Sequence, residues 1–233
     1  MKALILLHGW GAGGDIWQRQ AAAFGHLLPV LTPTIPTWEA GWVSAYLQEL
    51  PLETNVVVGW SLGGMLLLEA LAGLGAAPAS LVLVGVAATF CRRPDHPWGQ
   101  NPAAVRAMRR GLKDDPRKVL RDFASSCLAP GEEPFLGEAA AFFGAPAYLE
   151  NLGPGLDYLL NQDLRGRLHQ TTGRPTIIQG EEDRIVPPAQ ALFLKDQIPG
   201  ARLYLLKGAG HLPFLTQTAA FNKILQELLV REG

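Results

Sequence analysis

Short, continuously apolar runs recur along the chain, separated by longer segments in which apolar residues return with helical spacing. Such runs, rich in Leu, Ile and Val and bounded by Gly, Pro or Asn, are typical of strands buried on both faces. They predict strands at Ala3–Leu7, Leu28–Leu31, Val56–Val58, Leu81–Val86, Thr176–Ile178 and Leu203–Leu206.

The segments between the runs carry apolar residues every three or four positions, which predicts helices. Alternation of strands and helices favours an α/β fold with a mostly parallel central sheet flanked by helices. The clearest predicted helices are Gly41–Leu50, Leu62–Leu74, Ala189–Ile198 and Thr218–Val230.

The alternation stops in the middle of the chain, where residues 89–173 are helix-rich, contain many prolines and include no buried-strand run. Roughly 85 residues are too many for a connection between two strands. We therefore predict an α/β core of residues 1–88 and 174–233. Residues 89–173 are predicted to form an inserted helical cap over the carboxyl ends of the strands, where open α/β sheets bind their ligands.

A G-x-S-x-G motif, Gly59-Trp60-Ser61-Leu62-Gly63, lies directly between a predicted strand and a predicted helix. At such a turn the serine is strained and its hydroxyl is exposed, and the helix amino terminus favours developing negative charge. The bare pattern also occurs in ordinary Gly-Ser turns. Because a strand and a helix flank it on the correct sides, we predict that Ser61 is a nucleophile.

A nucleophilic serine needs a general base and a carboxylate that orients the base, in the chain order Ser, acid, His. Asp183 and His211 each follow a predicted strand, so both are expected at the same sheet edge as Ser61. We predict these three as the catalytic residues, with Glu182 as a weaker alternative to Asp183. The histidines without such a placement are interpreted as surface or cap residues: His26, His96 and His169.

The segment His8-Gly9-Trp10-Gly11 follows the first predicted strand and has two interpretations. Together with Gly14 it matches the dinucleotide fingerprint G-x-G-x-x-G, but no acidic residue lies near position 34 to bind a ribose. The alternative is an oxyanion hole formed by the backbone N–H groups of Trp10 and Leu62, each worth about 3–4 kcal/mol in the transition state. We favour the oxyanion hole.

The motifs around Trp10, Ser61, Asp183 and His211 resemble those of the α/β-hydrolase superfamily over nearly the whole chain. The serine motif with Trp60 and Gly64, together with Trp10 after His8-Gly9, resembles in particular the pimeloyl-[acyl-carrier protein] methyl ester esterases of biotin synthesis. The resemblance implies an α/β-hydrolase fold and a serine carboxylesterase that releases methanol from a carrier-bound pimeloyl ester. We expect this chemistry to need neither a metal nor a cofactor.

The formal net charge of -1 argues against a general nucleic-acid binder, but the charge is unevenly distributed. Residues 92–121 carry nine positive and three negative side chains, a local charge of +6 that leaves -7 elsewhere. This stretch is either an ordinary solvated face or a surface that steers an acidic acyl carrier protein, as the family's cap arginines do. The carrier-facing candidates are Arg109, Arg110, Lys113, Arg117, Lys118 and Arg121.

The second half of the predicted cap is acidic at Glu132, Glu133 and Glu138, so a partner's footprint there need not match the family's. Phe123 is a candidate substrate contact along the path of an acyl chain. Phe142 and Phe143 are similar candidates, although core packing explains each of these aromatic residues more simply.

Two cysteines without C-x-x-C spacing argue against a disulfide framework or zinc site and fit a reducing cytoplasm. No apolar run is long enough for a signal peptide or membrane span, and we expect a monomer.

Other functions stay open: a generic short-acyl carboxylesterase, a C–C hydrolase or a menaquinone-pathway lyase on the same fold, and a non-catalytic ligand-binding module.

Overall fold

The computed structural model of the chain describes residues 2–144 and 146–231 and contains a six-stranded sheet in which all neighbouring strands are parallel. The strand order is β2-β1-β3-β4-β5-β6. After β2 the chain crosses back over β1, and each later strand is added on the other side of β1. The strands are β1 (Leu4–Leu7), β2 (Val30–Leu31), β3 (Val56–Trp60), β4 (Ser80–Val84), β5 (Thr176–Gly180) and β6 (Arg202–Leu206).

Helices connect the strands and cover the sheet, which confirms the predicted α/β class. Short 3-10 helices supplement them at Gly14–Trp17, Leu52–Thr54, Glu133–Phe135, Pro146–Asn151 and Arg165–Gln170. The α-helices are α1 (Gln18–Phe24), α2 (Ala40–Gln48), α3 (Leu62–Leu74), α4 (Pro102–Asp114), α5 (Pro116–Ser126), α6 (Leu136–Phe142), α7 (Leu152–Asn161), α8 (Pro188–Gln197), α9 (Pro213–Thr216) and α10 (Thr218–Arg231).

The central strands are buried along their length, but the two edge strands are not. The prediction that Leu28–Leu31 and Leu203–Leu206 are buried on both faces is therefore wrong: the residues of β2 and β6 are partly buried or exposed, and both strands lie at the margins of the sheet. The first of these is also shorter than predicted. Pro29 has no N–H to donate to a sheet ladder, and β2 starts at Val30.

Strand β4 stops at Val84, two residues before its predicted end, because Gly85 adopts a positive φ of 55°. A residue with a side chain would not fit easily at this position. A Cβ at position 85 would lie 3.0 Å from the ring of His211 and 3.3 Å from Asp183 Oδ2. The early end of β4 thus leaves room for two of the predicted catalytic side chains.

Helices α4 to α7 lie between β4 and β5, where α4 packs on α7 and α5 packs on α6. Asn101 and Asp115 cap the amino termini of α4 and α5 by accepting backbone N–H groups, and each is followed by a proline that suits the first helical position. Within the described part of this stretch, strand-like pairing is limited to isolated bridges. Its division from the core at residues 89 and 173 stays a prediction.

His96 does not lie at the surface, which was one of the two placements that its sequence context suggested. Its side chain is fully buried, and its Nε2 lies 2.9 Å from the Gln190 side-chain oxygen on α8. His26 and His169 are exposed, as expected. Across the described ranges, no helix combines the length and apolar character that crossing a membrane requires.

Candidate active site

Ser61 occupies the single residue between the end of β3 and the start of α3. Its backbone has φ 52° and ψ -122°, and it is the only non-glycine residue with a positive φ among residues 2–144 and 146–231. Such a conformation costs on the order of 1–3 kcal/mol and is typical of functional sites. The surrounding backbone is packed too closely for side chains: a Cβ at Gly59 would lie 2.5 Å from Gly64 Cα.

His211 and Asp183 form a buried pair at the same edge of the sheet, after β6 and β5 respectively. His211 Nδ1 lies 2.7 Å from Asp183 Oδ2, and both side chains are fully buried. The other carboxylate oxygen, Oδ1, accepts the backbone N–H groups of Ile185 at 2.9 Å and Val186 at 2.8 Å. Glu182, the alternative acid, is exposed. The structure thus brings Asp183, and not Glu182, to the histidine.

Gln179 completes the environment of the acid. Its side-chain amide donates to Asp183 Oδ2 at 2.9 Å and to the Val186 carbonyl at 2.9 Å. A carboxylate that accepts this many hydrogen bonds is held in one orientation. It therefore keeps the proton of His211 on Nδ1, which leaves the Nε2 lone pair available to accept a proton.

The imidazole of His211 is also held by Trp60. The indole N–H of Trp60 donates to the His211 carbonyl at 3.0 Å, and the two ring centroids are 5.4 Å apart. Nε2 of His211 is buried and has no hydrogen-bond partner in the described part of the chain. A buried, oriented and unpartnered imidazole nitrogen is the arrangement that a general base needs, and such bonds often tighten only when substrate is bound.

The segment after β1 lies directly against the Ser61 turn, because β1 and β3 are paired up to Leu7 and Gly59. A Cβ at Gly9 would lie 3.0 Å from Ser61 Cβ and 2.9 Å from the Trp60 ring. Leu62 is the first residue of α3, where backbone N–H groups have no intrahelical acceptor. The segment that contains Trp10 and the amino terminus of α3 therefore both adjoin the serine, and the oxyanion hole formed by the Trp10 and Leu62 N–H groups stays a prediction.

His8 fixes the start of this segment, a role that its sequence position did not indicate. Its Nε2 accepts the backbone N–H of Ile35 at 2.8 Å, and its Nδ1 lies 2.9 Å from the Gly9 carbonyl oxygen. Burial lowers the pKa of His8 to about 4, although the bond to Gly9 raises it slightly. His8 is therefore neutral near pH 7, with the proton on Nδ1.

The side chain of Trp10 is bound by the predicted cap. Its indole N–H donates to the Leu152 carbonyl at 2.8 Å, and the indole of Trp38 donates to the Asn151 carbonyl at 2.8 Å. Gly155 on α7 makes this possible, since a Cβ there would lie 2.5 Å from the Trp10 ring. The Phe123 ring meets Trp10 edge-on at 5.0 Å. Phe123 thus lies beside the predicted oxyanion hole.

A cleft of about 310 Å³ lies next to Phe123, within the roughly 300–1,000 Å³ typical of small-molecule sites. Ser61 is only 7% exposed and does not line it. The lining is mainly apolar and comes from α4, α5 and the loops after β4 and β5: Phe90, Gln100, Ala104, Val105, Met108, Val119, Asp122, Phe123, Ser126 and Ile185.

A second cleft of about 230 Å³ lies on the other side of α5. Arg117 and Arg121 stand at this cleft, and Leu120 and Phe143 also line it. Phe143 is buried and packs near Trp60, with the ring centroids 6.4 Å apart. The two clefts therefore lie on opposite faces of α5, one beside Phe123 and the other beside Phe143.

The predicted carrier-facing residues fall into two groups. Arg109 is held in an ion pair with Asp157 on α7 at 3.2 Å, and Lys118 pairs with Asp122 at 2.6 Å on an exposed face. The others are exposed and have no ion pair within the described ranges: Arg110, Lys113, Arg117 and Arg121. We call these four residues the basic surface.

The three acidic residues of the second half of the predicted cap differ in their surroundings. Glu138 pairs with Arg19 of α1 at 2.6 Å, and Glu132 is buried. Glu133 is exposed and accepts the Gly131 N–H. The expectation of an acidic surface is therefore wrong for Glu132. No group of three or more His, Cys, Asp or Glu side chains in the described ranges could hold a metal ion.

A strained serine at a strand-to-helix turn, followed along the chain by an aspartate and a histidine at the same sheet edge, defines the class of α/β hydrolases. The model of the alpha/beta hydrolase family matches residues 4–224, and the chain therefore belongs to that family.

The finer resemblance is confirmed by curated relatives. A pimeloyl-[acyl-carrier protein] methyl ester esterase from Aromatoleum aromaticum is 34% identical over 97% of this chain and 97% of its own. An enzyme of the same name from Stenotrophomonas maltophilia is 32% identical over 97% of this chain and 92% of its own. Among solved structures, an esterase from Exiguobacterium antarcticum superposes with a TM-score of 0.89 at 22% identity, covering 98% of this chain and 92% of that one.

Proposed function

We propose that this protein is a serine carboxylesterase that hydrolyses the methyl ester of pimeloyl-[acyl-carrier protein]. The observation that carries the chemistry is the buried Asp183–His211 pair, with an unpartnered Nε2, at the same sheet edge as the strained Ser61. The substrate follows from relatives that match over nearly their whole length and carry that name.

The reaction proceeds in two halves. His211 Nε2 takes the Ser61 proton as the hydroxyl oxygen attacks the ester carbonyl, and the N–H groups of Trp10 and Leu62 stabilise the resulting oxyanion. The tetrahedral intermediate collapses, His211 protonates the departing methoxide, and methanol leaves. A water then loses a proton to His211 and attacks the acyl-enzyme, which releases the free carboxyl product and restores Ser61. Asp183 stabilises the imidazolium in both halves.

The two clefts and the basic surface suit the two parts of the substrate. The apolar lining of the larger cleft fits a methylene chain, and Phe123 lies between this cleft and Trp10. Acyl carrier proteins are strongly acidic, so exposed cations on α4 and α5 steer one toward the site. Cys91 and Cys127 are buried and free, which supports a reducing compartment such as the cytoplasm.

The chemistry is tested with Ser61→Ala and a p-nitrophenyl acyl ester. We expect hydrolysis to fall to the background rate while the circular dichroism spectrum stays that of the parent protein. A fluorophosphonate should label the parent protein and not the variant. Retained turnover in the variant would contradict the proposed nucleophile.

The carrier is tested with the double variant K113E/R117E and the carrier-bound pimeloyl methyl ester. We expect kcat/KM for this substrate to fall by at least tenfold at low salt, with little change for the free ester, because steering acts on the charged partner only. R174E/R202E is the matched control, since it also reverses two positive charges and both arginines are exposed at the opposite, amino-terminal ends of β5 and β6. Equal losses in both proteins would overturn the role of the basic surface.

A further inference from the structure

The backbone of the predicted catalytic histidine is attached to the segment Cys127–Glu132, which follows α5. The His211 N–H donates to the Cys127 carbonyl at 2.7 Å. The preceding N–H, that of Gly210, donates to Glu132 Oε2 at 3.0 Å. Two consecutive backbone donors of the histidine loop are therefore satisfied by a segment about 80 residues earlier in the chain.

Glu132 is an unusual residue for this position, because a buried carboxylate is costly without a cation. The residue is 6% exposed, and in the described part of the chain it forms no ion pair. Oε2 accepts a second N–H, from Ala129 at 2.8 Å, whereas Oε1 is buried and has no hydrogen-bond partner among the residues that the structure describes.

The contact is tight as well as buried. A Cβ at Gly210 would lie 2.4 Å from the Cys127 carbonyl oxygen and 2.9 Å from Glu132 Oε2. On the other side of the loop, a Cβ at Gly180 would lie 2.2 Å from the Gly210 carbonyl oxygen. The loop is therefore enclosed between β5 and the Glu132 segment, and the Glu132 carboxylate contacts the backbone of residue 210 directly.

We propose that Glu132 is a positioning residue for the reaction: its carboxylate holds the Gly210–His211 backbone so that His211 Nε2 is aligned for proton transfer. The position of the 127–132 segment then determines the alignment of the general base. The proposal rests on His211 being the base of the proposed function.

The experiment compares E132A, E132Q and E133A with a p-nitrophenyl acyl ester, which needs no carrier. We expect E132A to lower kcat by about ten- to a hundredfold with KM within about twofold, since misplacement of a catalytic group by about 1 Å costs on that order. E132Q should recover most of kcat, because the amide oxygen accepts both N–H groups and the NH₂ replaces the unpartnered oxygen. E133A is the matched control and should behave like the parent protein.

Melting temperatures and circular dichroism establish that each variant is folded at the assay temperature, and S61A in the same assay separates the two claims. If S61A is inactive and folded E132A turns over at the parent rate, the role of Glu132 is overturned while the proposed function stands. Equal losses of kcat in E132Q and E132A would also overturn it, as would a loss confined to KM. If S61A keeps its activity, the proposed function fails first.

Discussion

The substitution Gly63→Ala tests how closely the backbone is packed around the serine, because helix propensity and steric contact have opposite effects on stability at this position. Gly63 lies in the first turn of α3, where alanine would ordinarily stabilise a helix by up to about 1 kcal/mol. In this fold the added Cβ would lie 2.2 Å from the His8 carbonyl oxygen and 3.1 Å from that of Leu7. Both obstacles are backbone atoms, so no side-chain rotation can relieve them.

The required movement is close to 1 Å. Moving the Cβ from 2.2 Å to 3.0 Å from the oxygen takes 0.8 Å, and this displacement falls on either α3 or the His8–Trp10 segment. Overpacking of this kind costs about 1–3 kcal/mol. Either movement also separates the N–H of Leu62 from that of Trp10, and a shift of about 1 Å at a catalytic site costs about a hundredfold in kcat.

Gly73→Ala is the matched control, because Gly73 is in the same helix and an added Cβ there meets nothing within 4 Å. Urea unfolding should place G63A about 1–3 kcal/mol below G73A, since the propensity gains cancel. Steady-state hydrolysis of a p-nitrophenyl ester should show a fall of about a hundredfold in kcat for G63A only. Equal stability and equal kcat in the two variants would refute the reasoning.

Three further predictions concern other parts of the site. Asp183→Asn should lower kcat about 10⁴-fold with the fold retained, because the backbone donors hold the amide oxygen and its NH₂ then faces His211 Nδ1; a loss below tenfold would contradict this. His8 has a folded pKa of about 4 against 6.5 unfolded, so stability is full above about pH 6.5 and falls by about 2 kcal/mol on going to pH 5. Urea unfolding at several pH values should show that the free energy of unfolding depends less on pH in H8Q than in the parent protein. Identical pH dependence in the two proteins would contradict the role of His8. Gly155→Ala should lower the melting temperature despite its higher helix propensity, because its Cβ would lie 2.5 Å from the Trp10 ring; an unchanged or higher value would count against the tight contact.

The parts of the fold that the sequence predicted are those encoded locally. Ser61, Asp183 and His211 each follow the carboxyl end of a strand, and the carboxyl ends of parallel strands meet at one edge of the sheet. Their convergence could therefore be expected without knowledge of the packing. Strand bounds were less well predicted at Pro29 and Gly85, where one missing donor and one positive φ end the ladder.

The supporting residues could not be predicted, because their roles depend on contacts between distant parts of the chain. Glu132 looked like part of an acidic surface, yet its carboxylate bonds a backbone N–H 78 residues away. Gln179 is one of several polar residues beside apolar runs, and only the fold places its amide on Asp183. His8 could be noticed as a polar residue after a strand, but no local pattern shows that its partner is Ile35.

Residues 89–173 contribute to the catalytic geometry itself as well as to the clefts. The Trp10 indole is held by the Leu152 carbonyl, and the His211 N–H is held by the Cys127 carbonyl. These contacts fix both the predicted oxyanion segment and the predicted base, which lie on loops that follow different strands. Loops that follow strands are otherwise the mobile parts of a fold. A substrate that repacks this region on binding would therefore alter the alignment of the base and the predicted oxyanion donors together, and substrate recognition would then be coupled to transition-state stabilisation.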